Sequence, residues 1–126
     1  MSRTLHSRGW ILFALGWSLL AVFASADTVF AVLLRQPYLQ LVTSNSVTVV
    51  WRTDLSAPND SRVQYGTGAL NQTASGAAVI PASNANAKDH FVMINGLTPG
   101  TKYFYNVGTT SGGVEGGGTS EHYFMT

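Results

Sequence analysis

The sequence predicts an all-β fold, an antiparallel two-sheet sandwich of about seven strands. Three observations predict it. Ser46 to Thr53 alternates, with Val47, Val49 and Trp51 on one face and Thr48, Val50 and Arg52 on the other, which is the period of a strand. Short runs of this kind recur between turns rich in Gly, Pro, Asn and Ser, and no helical period is present. The stretch Asn95 to Val107 reads as a tight corner feeding a strand. There Pro99 pre-sets φ, Gly100 supplies a positive φ, and Tyr103 follows where its phenol packs inside and its hydroxyl reaches upstream backbone.

Taken in order, residues 1–26 read as a secretory signal rather than as part of the fold. Arg3, His6 and Arg8 form a basic leader, Trp10 to Phe23 is almost unbroken apolar chain, and Ala24-Ser25-Ala26 offers small residues for cleavage before Asp27. The apolar run is short of the ~20 residues a spanning helix needs. Extending it to Leu34 would bury Asp27 at a cost on the order of 3 kcal/mol. No cysteine follows the run, so a lipid anchor has no attachment point.

Residues 27–126 are then expected to form one sandwich domain, secreted or periplasmic, with no membrane span. Val32 to Leu41 is extended but contains Pro37, which marks an edge strand. Ser44-Asn45 turns the chain into the strand ending at Thr53, with Trp51 as the aromatic centre of the core. Ser61 to Gly66 is the third strand, Val63 and Tyr65 facing inward. Gly68 to Gly76 reads as polar and turn-like, leaving at most a short strand from Ala77 to Ile80. His90 to Ile94 is a strand with Val92 and Ile94 inward, and Lys102 to Thr109 follows the corner with Tyr103, Tyr105 and Val107 on one face. Thr110 to Ser120, with Gly112-Gly113 and Gly116 to Gly118, reads as a flexible hairpin loop, and Glu121 to Met125 closes the sheet with Phe124 inward.

Composition narrows the chemistry. Cysteine is absent, which removes disulfides, thiol catalysis and thiolate-bound zinc. Without the leader, five basic and six acidic residues remain, and no basic stripe points to nucleic acid. His90 and His122 each open an expected strand and read as solvated edge residues. Asp89 and His90 are adjacent in a strand, so their side chains point to opposite faces and do not form an acid–base pair. A His90–His122 metal site lacks a third ligand, since Asp89 and Glu121 are close only in sequence. The glycines from Gly112 to Gly118 lack the lysine and following helix of a phosphate cradle. Asn59-Asp60-Ser61 and Asn71-Gln72-Thr73 are N-glycosylation sequons on expected loops.

The turn and Tyr103 together are similar to the corner of fibronectin-type-III and immunoglobulin-like sandwiches. A more specific resemblance rests on Arg35-Gln36-Pro37-Tyr38-Leu39-Gln40, the strand Ser46 to Asp54, Ser61-Arg62-Val63-Gln64-Tyr65-Gly66, and Gly96 to Tyr105. Over about residues 33 to 126 these pieces resemble the N-terminal domain of purple acid phosphatases. The resemblance implies a sandwich preceding a separate metallophosphoesterase domain, whose two-metal centre hydrolyses phosphomonoesters. That family's metal ligands come as Asp-x-His, Gly-Asp-x-x-Tyr, Gly-Asn-His and His-x-His pieces, and none stands in this sequence. The chain runs to Tyr123-Phe124-Met125-Thr126, about where the family's linker begins, so a truncation at the domain boundary is expected. No catalytic, cofactor-binding or metal residue is therefore assigned, and no cofactor is expected in this chain. The expected partner is a metallophosphoesterase domain docking on an apolar sheet face. Val50, Phe91, Met93 and Phe104 are expected to point away from the core, with Phe104 or the Phe91/Met93 pair making that contact. The alternative is an independent extracellular module that binds protein or carbohydrate.

Overall fold

The computed structural model describes residues 31–126, so the leader expected over residues 1–26 lies outside the described residues. Eight strands and no helix are present among them. They are β1 (Leu33–Gln40), β2 (Val47–Thr53), β3 (Asp60–Gly66), β4 (Gln72–Val79), β5 (Lys88–Ile94), β6 (Lys102–Thr109), β7 (Gly113–Gly117) and β8 (Tyr123–Met125). The hydrogen-bonded order is β1-β2-β5-β4-β3-β6-β7, every pair antiparallel, with β8 also on β6. β1, β2 and β5 form one layer, and β3, β6, β7 and β8 form the other.

β4 joins the layers. From Gln72 to Ala77 it pairs with β3, and at Ala78 and Val79 it pairs with β5. This segment corrects the sequence reading, which made Gly68 to Gly76 a turn. Its side chains are small and polar, so it carries little hydrophobic signal. It is extended because β3 and β5 both present ladder edges that need partners. Gly76 sits just before the switch, where an added Cβ would lie 2.3 Å from the Phe91 carbonyl oxygen. Only a residue without a side chain lets the two backbones come that close.

β7 corrects the expected glycine loop in the same way, whereas β8 stands where the closing strand was expected, with Phe124 inward. Gly113 to Gly117 pairs with Asn106 to Thr109, and Tyr123 to Met125 pairs with Lys102 to Phe104, both along one edge of β6. They are two pieces of one interrupted last strand. The interruption is itself fastened, since Gly118 N–H donates to Tyr105 O (2.9 Å) and Tyr105 N–H donates to His122 O (3.1 Å). β1 lies at the edge, as Pro37 foretold, and its pairing with β2 shifts register between Arg35 and Tyr38, around that proline.

The core lies between the layers. Val47, Val49 and Trp51 of β2, Val63 and Tyr65 of β3, Val92 and Ile94 of β5, and Tyr103, Tyr105 and Val107 of β6 all face it, with Leu97 and Phe124. Each such side chain contributes about 1.5–3 kcal/mol when fully buried. The corner closes as expected: Gly100 has φ 63°, and Thr98 N–H donates to the Tyr103 hydroxyl at 3.0 Å. Antiparallel register gathers the β1–β2, β3–β4 and β5–β6 connections and Thr126 at one pole of the sandwich.

Candidate docking faces and a buried histidine cluster

His90 is fully buried, which corrects its reading as a solvated edge residue. β5 begins two residues earlier than expected, at Lys88. Alternation then places His90 on the same inner face as Val92 and Ile94. That parity was present in the sequence once Val92 and Ile94 were taken as inward. The imidazole stacks on Trp51, with ring centroids 4.8 Å apart and planes 6° from parallel. Nδ1 lies 2.8 Å from Ser61 Oγ, and Nε2 lies 2.8 Å from Thr53 Oγ1.

Burial, helped by the nearby Lys88 charge, lowers the His90 pKa to about 4, while Asp89 and Asp60 oppose the shift. At neutral pH the ring is uncharged, so one nitrogen donates to a hydroxyl and the other accepts from one. The arrangement ties β2, β3 and β5 together inside the core. Ser61, Thr53 and His90 are all fully buried, so no substrate reaches this hydroxyl–imidazole set.

Glu115 reaches the same region from β7. It stands where the β6–β7 register shifts between Val107 and Gly108, a bulge that re-aims a side chain. Trp51 Nε1–H donates to Glu115 Oε2 at 2.9 Å. Desolvation raises the Glu115 pKa, only partly offset by that hydrogen bond. Lys88 Nζ donates to the Ala57 carbonyl.

Asp89 faces the opposite way from His90, as the strand alternation required. Arg52 holds it through two hydrogen bonds, Nε to Oδ1 at 2.6 Å and Nη2 to Oδ2 at 2.9 Å. The Arg52 guanidinium holds the Asp89 carboxyl below its usual range. His122 lies before β8, half-buried, with Nδ1 2.7 Å from Thr119 Oγ1 and its ring edge-on to Tyr105. His90 and His122 belong to different layers and are not brought together. Among the described residues no group of three or more His, Cys, Asp or Glu side chains is placed to hold a metal. A two-metal centre needs a dense donor set. The residues present do not fit one: both His90 nitrogens are committed inside the core, and Asp89 is committed to Arg52.

The outer faces hold the remaining candidates. On the β1-β2-β5 layer, Tyr38, Val50 and Phe91 stand side by side in register. Phe91 and Met93 are exposed, at 43 % and 58 %, as expected. Val50 is not: it is only 2 % exposed. It does point away from the core, but its row neighbours Tyr38 and Phe91 flank it on both sides and shield it from water.

On the other layer Phe104 pairs with Tyr123 and Lys102 with Met125, all four directed outward. The Phe104 and Tyr123 rings meet edge to face at 6.3 Å. Lys102 Nζ sits 3.9 Å from the Tyr123 centroid and 5.0 Å from that of Phe104. Phe104 is half-buried rather than free, because it lines a groove of about 220 Å³ with Gly68, Leu70, Gly118, Thr119 and Ser120. No local pattern in the chain announces this groove, because the interruption between β7 and β8 builds one wall of it. Both sequon asparagines, Asn59 and Asn71, are exposed, but Ser61 of the first sequon is buried against His90, and Gln72 and Thr73 of the second already lie in β4.

A comparison with curated proteins finds no match. A comparison with protein families finds one over residues 34–126, the purple acid phosphatase N-terminal domain. The match begins one residue into β1 and runs through β8, so it takes in the corner, the switching strand and the interrupted last strand alike. With its sandwich architecture and its Tyr103 corner, this chain belongs to the purple acid phosphatase N-terminal domain family.

Proposed function

We propose that this chain is a non-catalytic accessory domain of a purple-acid-phosphatase-type protein. In this reading it supports and orients a metallophosphoesterase domain, and phosphomonoester hydrolysis belongs to that second domain. The observation that carries the reading is the family match across residues 34–126, which is to the N-terminal domain alone. The absence from the sequence of the family's Asp-x-His, Gly-Asp-x-x-Tyr, Gly-Asn-His and His-x-His ligand pieces supports it. His90, buried between the layers, and Glu115, half-buried on β7, both contact Trp51, and neither lines the groove beside Phe104. The leader expected over residues 1–26 would deliver the domain outside the cytoplasm.

The test is turnover of a chromogenic phosphomonoester by the purified chain, with and without added divalent iron, zinc or manganese. The expected outcome is no turnover above the metal-only blank. Sustained, metal-dependent turnover that co-purifies with the chain would refute the reading.

A further inference from the structure

The fold treats the two sequons differently. The acceptor motif needs an Asn amide together with the hydroxyl two residues on. In the first, Ser61 is buried and its hydroxyl is committed to His90 Nδ1 at 2.8 Å. In the second, Asn71 and Thr73 are both exposed. They stand two residues apart in extended chain, so both side chains rise from one face of the sheet.

That face also carries Phe104. Gln72 pairs with Tyr65, which sets Asn71 opposite Gly66, and Gly66 pairs with Phe104. The three form one row, and Gly66 has no side chain to separate the other two. Asn71 leans along this row, since a Cβ built on Gly66 would lie 3.2 Å from Asn71 Oδ1. At about 4.8 Å between strands, Asn71 stands roughly 10 Å from Phe104. The turn between β3 and β4 folds back against Gly66, and its Gly68 and Leu70 line the near side of the groove of about 220 Å³.

This groove suits a sugar ring, which has an apolar face and a polar rim. Phe104 and Leu70 offer apolar surface, and Thr119 and Ser120 offer hydroxyls. Lys102 Nζ already sits 3.9 Å from the Tyr123 centroid, so Phe104 is the aromatic surface that the groove presents.

We propose that Asn71 is an N-glycan acceptor and that the first sugar of its glycan seats in the groove on Phe104. The donor is a lipid-pyrophosphate-linked oligosaccharide beginning with an N-acetylhexosamine. A bond forms between Asn71 Nδ2 and the anomeric carbon. The bond from that carbon to the pyrophosphate oxygen breaks, the lipid pyrophosphate leaves with the electron pair, and Nδ2 gives up one proton. The proposal rests on export of the chain, as read from residues 1–26, and not on the accessory role.

The test begins with the protein recovered from its natural host. Peptide N-glycosidase in heavy-oxygen water converts a glycan-bearing Asn to labelled Asp, which peptide mass mapping locates. Label at Asn71 is the expected result. Protein that has lost its leader but carries an unlabelled Asn71 would overturn the proposal and leave export standing. Unlabelled protein that retains residues 1–26 would remove the export reading, and the proposal with it. The groove contact is read on the full chain produced in a glycosylating secretory host and trimmed to one sugar. Against Asn71→Gln, that sugar should raise the melting temperature by about 2–4 °C. In a Phe104→Ser background the rise should vanish, and comparing within each background cancels the variant's own cost. An equal rise in both backgrounds would overturn the contact. In the parent itself, the sugar protons should shift upfield in the Phe104 ring current, and shifts equal to those of a free glycan would likewise overturn it.

Discussion

Acidification should destabilise this domain chiefly through His90. The folded-state pKa is about 4 against 6.5 for a free imidazole. Between these values the unfolded chain binds the proton that the folded chain refuses. Stability is therefore full above the unfolded pKa and falls as pH drops through the window. The complete loss, reached below the folded pKa, is about 3 kcal/mol for a shift of this size. Taking the protein from about pH 8 to about pH 5 should remove about 2 kcal/mol. Glu115 works in the opposite sense. Its raised pKa means the folded state takes up a proton before the unfolded state does, so acidification relieves a buried charge and offsets part of the His90 loss. The assay is urea denaturation across this pH range, followed by tryptophan fluorescence. His90→Gln keeps a donor and an acceptor for Ser61 and Thr53 but does not titrate, so its stability should decline much less over the same window. Glu115→Gln removes the offset, so its pH slope should be steeper than that of the parent. A parent whose stability is flat from about pH 8 to about pH 5, together with a Glu115→Gln variant equally flat, would refute the reasoning. So would a His90→Gln variant with the parent's slope.

Two further outcomes follow from the geometry. Tyr103→Phe deletes the hydroxyl that accepts from Thr98 N–H and should cost about 1 kcal/mol, read from the urea midpoint with an unchanged slope. Gly76→Ala drives a methyl group against the Phe91 carbonyl and should cost about 1–3 kcal/mol, with amide exchange accelerating first at Ala78 and Val79, where β4 pairs with β5.

The outward-facing residues show where reading the chain locally stops working. Alternation in β2 correctly turned Val50 away from the core, yet Val50 is buried. Direction is a property of one strand. Burial depends on what the adjacent strands place beside it, here Tyr38 and Phe91. His90 shows the reverse case: its parity with Val92 and Ile94 was legible, but its partners were not. Ser61 and Thr53 come from β3 and β2, far away in sequence, and only their convergence makes a buried imidazole tolerable.

The sequence by itself determined the all-β class, the inner faces of β2, β3, β5 and β6, the edge position of β1 and the Tyr103 corner. These rest on period-two burial and on the φ preferences of Pro99 and Gly100, which act within a few residues. It also determined the family, through side-chain patterns that such a sandwich repeats. Only the tertiary structure decided that Gln72–Val79 and Gly113–Gly117 are strands, that Val50 and His90 are dry, and that a groove opens beside Phe104. The physical reason is that a backbone ladder is satisfied by whatever chain lies next to it. Small and glycine-rich segments carry no side-chain signal for the strand they complete, and the neighbour that recruits them is fixed only once the sheets have formed.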